Sequence, residues 1–305
     1  MDGIIVIDKP AGFTSHDVVA KLRGILHQKK IGHTGTLDPD ATGVLPVLLG
    51  RATKLSDLLT AHEKVYEAVM LLGVTTDTQD MSGSVTARRD VDVSEDDVLS
   101  ACAHFTGDIE QIPPMYSAIK VEGRKLYELA RKGLTVERSA RTVKIEEINV
   151  SRMELPRVHM RVRCSKGTYI RTLCHDIGEY LGCGAAMESL RRTASGDLTE
   201  EVAVTLELVQ EAAERAAQSG ISVEKILGAG LITPERALAG LPRFTVGRGY
   251  DKALYNGNAL MTEWGSGECG PGQVAVFDAD GRVVGVYERR GGKLCPVIML
   301  LPRTE

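Results

Sequence analysis

A carboxylate fixed in a stiff loop can act as a nucleophile or take up a proton. Residues 32 to 47, GHTGTLDPDATGVLPV, present Asp38 in such a loop. Gly32 and Gly35 permit backbone angles that other residues avoid. Asp38-Pro39 starts a turn, and Gly43 closes the loop ahead of the apolar run Val44-Leu45-Pro46-Val47. An Asp-Pro pair by itself is most simply a solvated turn in which the aspartate bonds its own backbone. The constraints crowded on both sides of Asp38 favour the other reading, a rigid loop that presents a carboxylate to a substrate.

The elements that must position this loop follow from pattern. Gly3 to Asp8 is a short apolar strand ending at Lys9-Pro10. Thr14 opens a helix, with Asp17 placed to complete a capping box. Val65 to Val74 reads as a buried strand with Tyr66 near its start, and Thr75 to Gly83 as a polar loop. Ser94 caps a second helix, with Asp97 at the box position. From Pro156 to Gly167, Val158, Met160, Val162 and Cys164 alternate with His159, Arg161, Arg163 and Ser165, a strand with one apolar and one basic face. Ile170, Leu173, Ile177 and Leu181 then follow helical spacing. Arg171 stands in that helix's first turn, where a cation opposes the dipole and invites a carboxylate partner. A further helix covers 206 to 218, and Thr233-Pro234 starts another. From about 240, short apolar runs alternate with Gly-rich turns, and Asp280-Gly281 reads as a hairpin turn. A small all-β unit is expected there, joined at about 233 to 240.

At 305 residues the chain has length for one large domain or two. No apolar run approaches a membrane span, and MDGIIVIDKP has no basic region of the kind that opens a secretory signal. The six cysteines include no CxxC pair, so the reading is reduced thiols, a cytoplasmic location and no metal. The net charge is -4, but it is uneven. Residues 88 to 110 carry two basic and seven acidic side chains, a net of -5; residues 120 to 144 carry eight basic and three acidic, a net of +5. The segment 111 to 133, QIPPMYSAIKVEGRKLYELARKG, interleaves Tyr116 and Tyr127 with basic residues such as Lys120, as single-stranded nucleic-acid binders do. Leu126, Leu129 and Ala130 also fit a helix packed on a core, and both readings hold for an arm anchored at its base.

Six blocks occurring in order resemble pseudouridine synthases of the TruB type: GIIVIDKPAGFTSHDVV, GHTGTLDPDATGVLPV, KVYEA, QIPPMYSAIKVEGRKLYELARKG, CSKGTYIRTL and SLRRTASG. The resemblance implies an α+β catalytic fold around a mixed, largely antiparallel sheet, spanning 1–235 with an RNA-clasping insertion at about 111–140. A PUA-like RNA-binding module would span 236–305. It implies isomerisation of the T-loop uridine of tRNA, position 55 in standard tRNA numbering, to pseudouridine. The expected enzyme needs no cofactor and no protein partner and works as a monomer on the T-arm of tRNA. Residue by residue, Asp38 aligns with the catalytic nucleophile, Tyr66 with the ring that packs on the target base, and Arg171 with the arginine that pairs with the aspartate. Lys9, Pro10, Tyr169 and Leu190 fall at pocket positions, with Lys120 on the basic insertion. His33 falls where an imidazole packs against the opened RNA loop. Asp40 and Ala186 depart from the family pattern, which more often has an apolar residue and a histidine there.

The chemistry suits these residues. The C1′–N1 bond must break, the base rotate and a C1′–C5 bond form, and a loop nucleotide is the easier one to flip. The carboxylate can attack C6 of the uracil or C1′ of the ribose, and residue types leave both open. Two other readings share the blocks: a synthase acting on another RNA, and a non-catalytic tRNA-binding or folding factor.

Overall fold

The computed structural model describes residues 1–301 except 118, 122, 131 and 135; the side chains of Lys120, Val121 and Lys125 also lie outside the described set. A ten-stranded mixed sheet runs through the catalytic part. Its path is Leu231–Ile232, Gly3–Lys9, Thr42–Leu49, Ala185–Ser195, Lys64–Leu72, Arg157–Cys164, Arg141–Glu154 and Gly107–Gln111. Neighbours on this path are antiparallel except Thr42–Leu49 beside Ala185–Ser195, which pair in parallel at Arg191 with Thr42 and Arg192 with Gly43. The Asp38 loop enters the sheet at that junction.

The expected alternation holds in Arg157–Cys164. Val158, Met160, Val162 and Cys164 are buried, and Arg157, Arg161 and Arg163 point to solvent. Val158, Met160 and Val162 meet the helix Ile170–Tyr180 in one core, through Leu173, Cys174 and Ile177. Both capping boxes form. Thr14 and Asp17 exchange bonds at the start of Ser15–Ile25, and Ser94 and Asp97 do so ahead of Glu95–His104. Gly220, in the left-handed region, ends Leu206–Ser219. Among the described residues of the arm, Leu126–Ala130 alone is helical, after a two-stranded hairpin, and Leu126 and Leu129 bury its base. Among the described residues no helix is long and apolar enough to cross a membrane.

The C-terminal unit is a six-stranded sheet: Leu260–Met261, Lys293–Met299, Val283–Arg290, Gln273–Phe277, Arg243–Val246 and Gly265–Gly267. The Asp280-Gly281 turn joins the expected hairpin. The inner face of this unit shares an apolar core with the catalytic sheet. Ala275, Phe277, Val283 and Val286 pack in one cluster with Ile4, Val6, Val44, Leu48 and Leu55. The alternation of Gly3–Lys9 explains this, since Ile5 and Ile7 face the catalytic core and Ile4 and Val6 face the C-terminal unit. One urea transition is therefore expected for probes in both units. Phe277→Ala should shift it by about 3–5 kcal/mol. Two resolved transitions, with only the second sheet affected, would contradict the shared core.

Candidate active site

The loop around Asp38 is pinned residue by residue. Leu37, just before it, is buried, and its backbone is held on both sides by Ser15, whose Oγ accepts from Leu37 N at 2.9 Å and donates to Leu37 O at 3.3 Å. Pro39, just after it, offers its carbonyl to Lys9 Nζ at 2.8 Å and to Gly12 N at 3.0 Å. The turn closes through Ala41 N to Asp38 O at 3.2 Å. A backbone tied this closely leaves the carboxylate little freedom except at χ1 and χ2.

Arg171 is the hub opposite it. As the sequence implied, one guanidinium nitrogen lies 3.4 Å from Asp38 Oδ1. The other lies 3.4 Å from Asp80 Oδ2, and the first also donates to the Tyr116 carbonyl at 2.6 Å. The side chain is only 5% exposed, so it is no surface arginine. Its helix starts at Ile170 with Tyr169 as N-cap, and the cap has no side-chain bond. Gln111 serves there instead: its amide accepts from Tyr169 N at 2.8 Å and donates to Tyr169 O at 3.1 Å. A cation in a first turn is ordinarily unfavourable; two carboxylates and a carbonyl offset that here.

Asp80 was not singled out from the sequence, where 75 to 83 reads as a polar loop. Its Oδ1 accepts from Thr78 Oγ1 at 2.7 Å, Ser82 N at 3.0 Å and Ser82 Oγ at 2.5 Å, so the loop is built around this carboxylate. Thr172 on the Arg171 helix donates to Gln79 Oε1 at 2.7 Å and locks the two elements together. An Asp-x-Ser turn was visible as local chemistry. Its partner, 91 residues away, was not.

The remaining expected residues divide. Tyr66 is buried beneath the loop on Lys64–Leu72. Tyr169 lies with its ring centroid 5.8 Å from Arg171 Cζ. Leu190, with Asp40, Thr42, Glu67, Asn149 and His159, lines a groove of about 490 Å³ on the sheet face. His33 ends a short strand at the loop's entrance, paired with Val47, and its buried Nδ1 has no partner among the described residues. Lys9 is fully buried and donates to the carbonyls of Pro10, Phe13 and Pro39, so it braces the loop within electrostatic reach of Asp38 and Asp40. Pro10 beside it is exposed. The Lys120 side chain lies outside the described residues.

The electrostatics are opposed. Crowding by protein pushes the Asp38 carboxyl above its ordinary pKa, although 36% of the side chain stays exposed. Arg171 and Lys9 pull it down, Asp80 and Asp40 push it up, and the balance is upward. Burial lowers Lys9 and Lys64 to about 8 and raises the Tyr66 phenol. Among the described residues no group of three or more His, Cys, Asp or Glu is placed to hold a metal.

A carboxylate paired with arginine is thus set near a buried tyrosine on a mixed sheet, and the chains that this one matches are pseudouridine synthases. Residues 23–170 match the model of the TruB family pseudouridylate synthase N-terminal domain, and 171–239 that of the tRNA pseudouridylate synthase B C-terminal domain. The chain belongs to the TruB family. It is 46% identical over 263 residues to tRNA pseudouridine synthase B of Clostridium kluyveri, covering 86% of each chain. It is 44% identical over 298 residues to that of Burkholderia mallei, covering 97% of this chain and 96% of the relative. Among solved structures, a chain of an H/ACA RNP bound to a substrate RNA containing 2′-deoxyuridine is similar at TM-score 0.76 and 30% identity, covering 99% of this chain and 86% of that one.

Proposed function

We propose that the protein is a tRNA pseudouridine synthase that isomerises the T-loop uridine at position 55 in tRNA. The observation that carries the reading is the Asp38–Arg171 pair at the mouth of the cleft, in a chain whose relatives are tRNA pseudouridine synthases. The target uridine leaves the stack and enters beside Asp38, with Tyr66 beneath. The ionised carboxylate forms a bond to C6 of the base or C1′ of the ribose, and the C1′–N1 bond breaks. The freed base turns, C5 bonds to C1′, Asp38 is released, the C5 hydrogen leaves as a proton and N1 takes up a proton from solvent. Tyr169 and Leu190 bound the base, and Arg171 holds the nucleophile ionised and aimed. No cofactor enters this chemistry. The protein acts as a monomer in the cytoplasm, without a protein partner. The C-terminal sheet, as a PUA-like module spanning 236–305, adds backbone contacts to the tRNA.

Release of tritium from tRNA carrying C5-labelled uridine tests this. Substrate-dependent release with wild type is expected. None, with tRNA still bound, would favour a binding or folding factor. Equal release from tRNA lacking its T-arm would point to another RNA.

The arm at 111–140 should close on that RNA. Its base is buried and its surface is basic, and Tyr116 is tied to Arg171. Hydrogen exchange there should slow on adding tRNA, and affinity should fall with salt. Identical exchange with and without tRNA would remove the arm from the interface.

A further inference from the structure

We propose that Arg192 is the positioning residue that holds the Asp38 loop in register with Tyr66. The proposal rests on Asp38 being the nucleophile.

Arg192 lies on Ala185–Ser195, directly across from Tyr66 on one side and Gly43 on the other. It is 1% exposed, the bulkiest of the fully buried side chains. Nε donates to Val44 O at 2.6 Å, at the loop's exit, and Nη2 donates to Gly35 O at 2.9 Å, at its entrance. The guanidinium also lies close enough to the Tyr66 hydroxyl to oppose the rise in pKa that burial causes. One rigid, planar group thus spans the neck of the loop beside that ring. Lysine has no comparable fork.

The glycines flanking Asp38 fit this geometry. Gly35 has φ +69°, and a Cβ there would stand 3.1 Å from Arg192 Nη1. Gly43 has φ +96°, and a Cβ there would run into the Arg192 backbone. The two glycines thus make room for a single residue distant in sequence, Gly35 for its guanidinium and Gly43 for its backbone.

The charge is expensive where it stands. Among the described residues Arg192 meets carbonyl oxygens and a phenol, with no carboxylate paired to it. It also faces other cations, since its field disfavours the charged forms of Lys9, Lys64 and His33. An apolar side chain would bury there more cheaply. The guanidinium supplies what such a side chain lacks, two fixed donors that set the loop's width and its height over Tyr66.

The test uses the full chain with Arg192→Lys, which keeps the charge and loses the fork. Expected is a kcat about 10²-fold lower, the cost of displacing a nucleophile by about an ångström. The Kd for tRNA should stay within about threefold, because no substrate contact is removed. Amide exchange should accelerate at residues 35–44 and stay unchanged in the rest of the sheet. A folded variant with unchanged kcat would overturn the proposal. So would a loss of kcat with exchange raised evenly through the sheet, which is a general structural role. If Arg192→Lys does not fold, Arg192→Gln decides: it removes the buried charge and leaves one amide donor where the fork reached two carbonyls. A kcat fall of about tenfold with the same local exchange supports the proposal, and unchanged kcat overturns it. Asp38→Asn run in parallel separates the two readings: activity retained there refutes the nucleophile and the proposal with it, whereas activity lost there beside an unchanged kcat in Arg192→Lys refutes the clamp alone.

Discussion

Asp38→Asn is expected to abolish turnover and to make the folded protein more stable. Asparagine serves an Asp-Pro turn well and preserves the closing bond from Ala41 N to the residue's own carbonyl. It removes the anionic oxygen, so kcat should fall by about 10⁴-fold or more. The stability effect follows from the raised pKa of Asp38. A carboxyl raised in the folded state stabilises fully only below its unfolded value, and the benefit is lost as pH rises through the folded value. At about pH 7.5 the ionised Asp38 therefore burdens the fold, and asparagine lifts that burden. The Tm of Asp38→Asn should exceed the parent's there, and the gap should close on acidification. A Tm below the parent's at neutral pH would mean that the Arg171 pair outweighs burial. Measurable turnover would remove Asp38 from the chemistry.

Local chemistry was legible and distant pairing was not. The capping boxes at Thr14 and Ser94, the alternation through Val158 to Cys164 and the Asp280-Gly281 hairpin rest on neighbours in sequence, and all stand in the structure. The strand Arg141–Glu154 was missed because its burial is irregular, with register shifts where it pairs with Arg157–Cys164. Ala185–Ser195 was missed because two of its polar residues, Arg192 and Ser195, are buried by a tertiary context that no local pattern announces. Asp38 could be found because its own loop is constrained. The residues that hold it, Ser15, Lys9 and Arg192, carry no sign of that task in their own neighbourhoods. The Lys9 ammonium meets three carbonyls, one of them Pro39's 30 residues on, a partner that no local pattern names.

Arg171 and Asp80 should act together, and their variants should fail differently. Arg171 reaches two carboxylates and the arm's Tyr116 carbonyl at once. A lysine presents one point of charge and cannot hold all three. Arg171→Lys should lower kcat by about 10²–10³-fold through misalignment of Asp38. It should also loosen the arm, seen as faster exchange near Tyr116. Asp80→Asn keeps the shape and can still accept from Thr78 and Ser82 through one oxygen. It removes a charge that pushes the Asp38 pKa up and leaves Arg171 to pair with Asp38 alone. Both changes lower the Asp38 pKa, so the acid limb of the pH–rate profile should move to lower pH. The plateau should fall at the same time, by about tenfold or more, because Arg171 has lost the partner that fixes its second nitrogen. Single-turnover rates across the pH range separate the two effects. A lowered limb with an undiminished plateau would make Asp80 a source of field alone. A falling plateau with an unmoved limb would make it an anchor alone, and the joint role requires both.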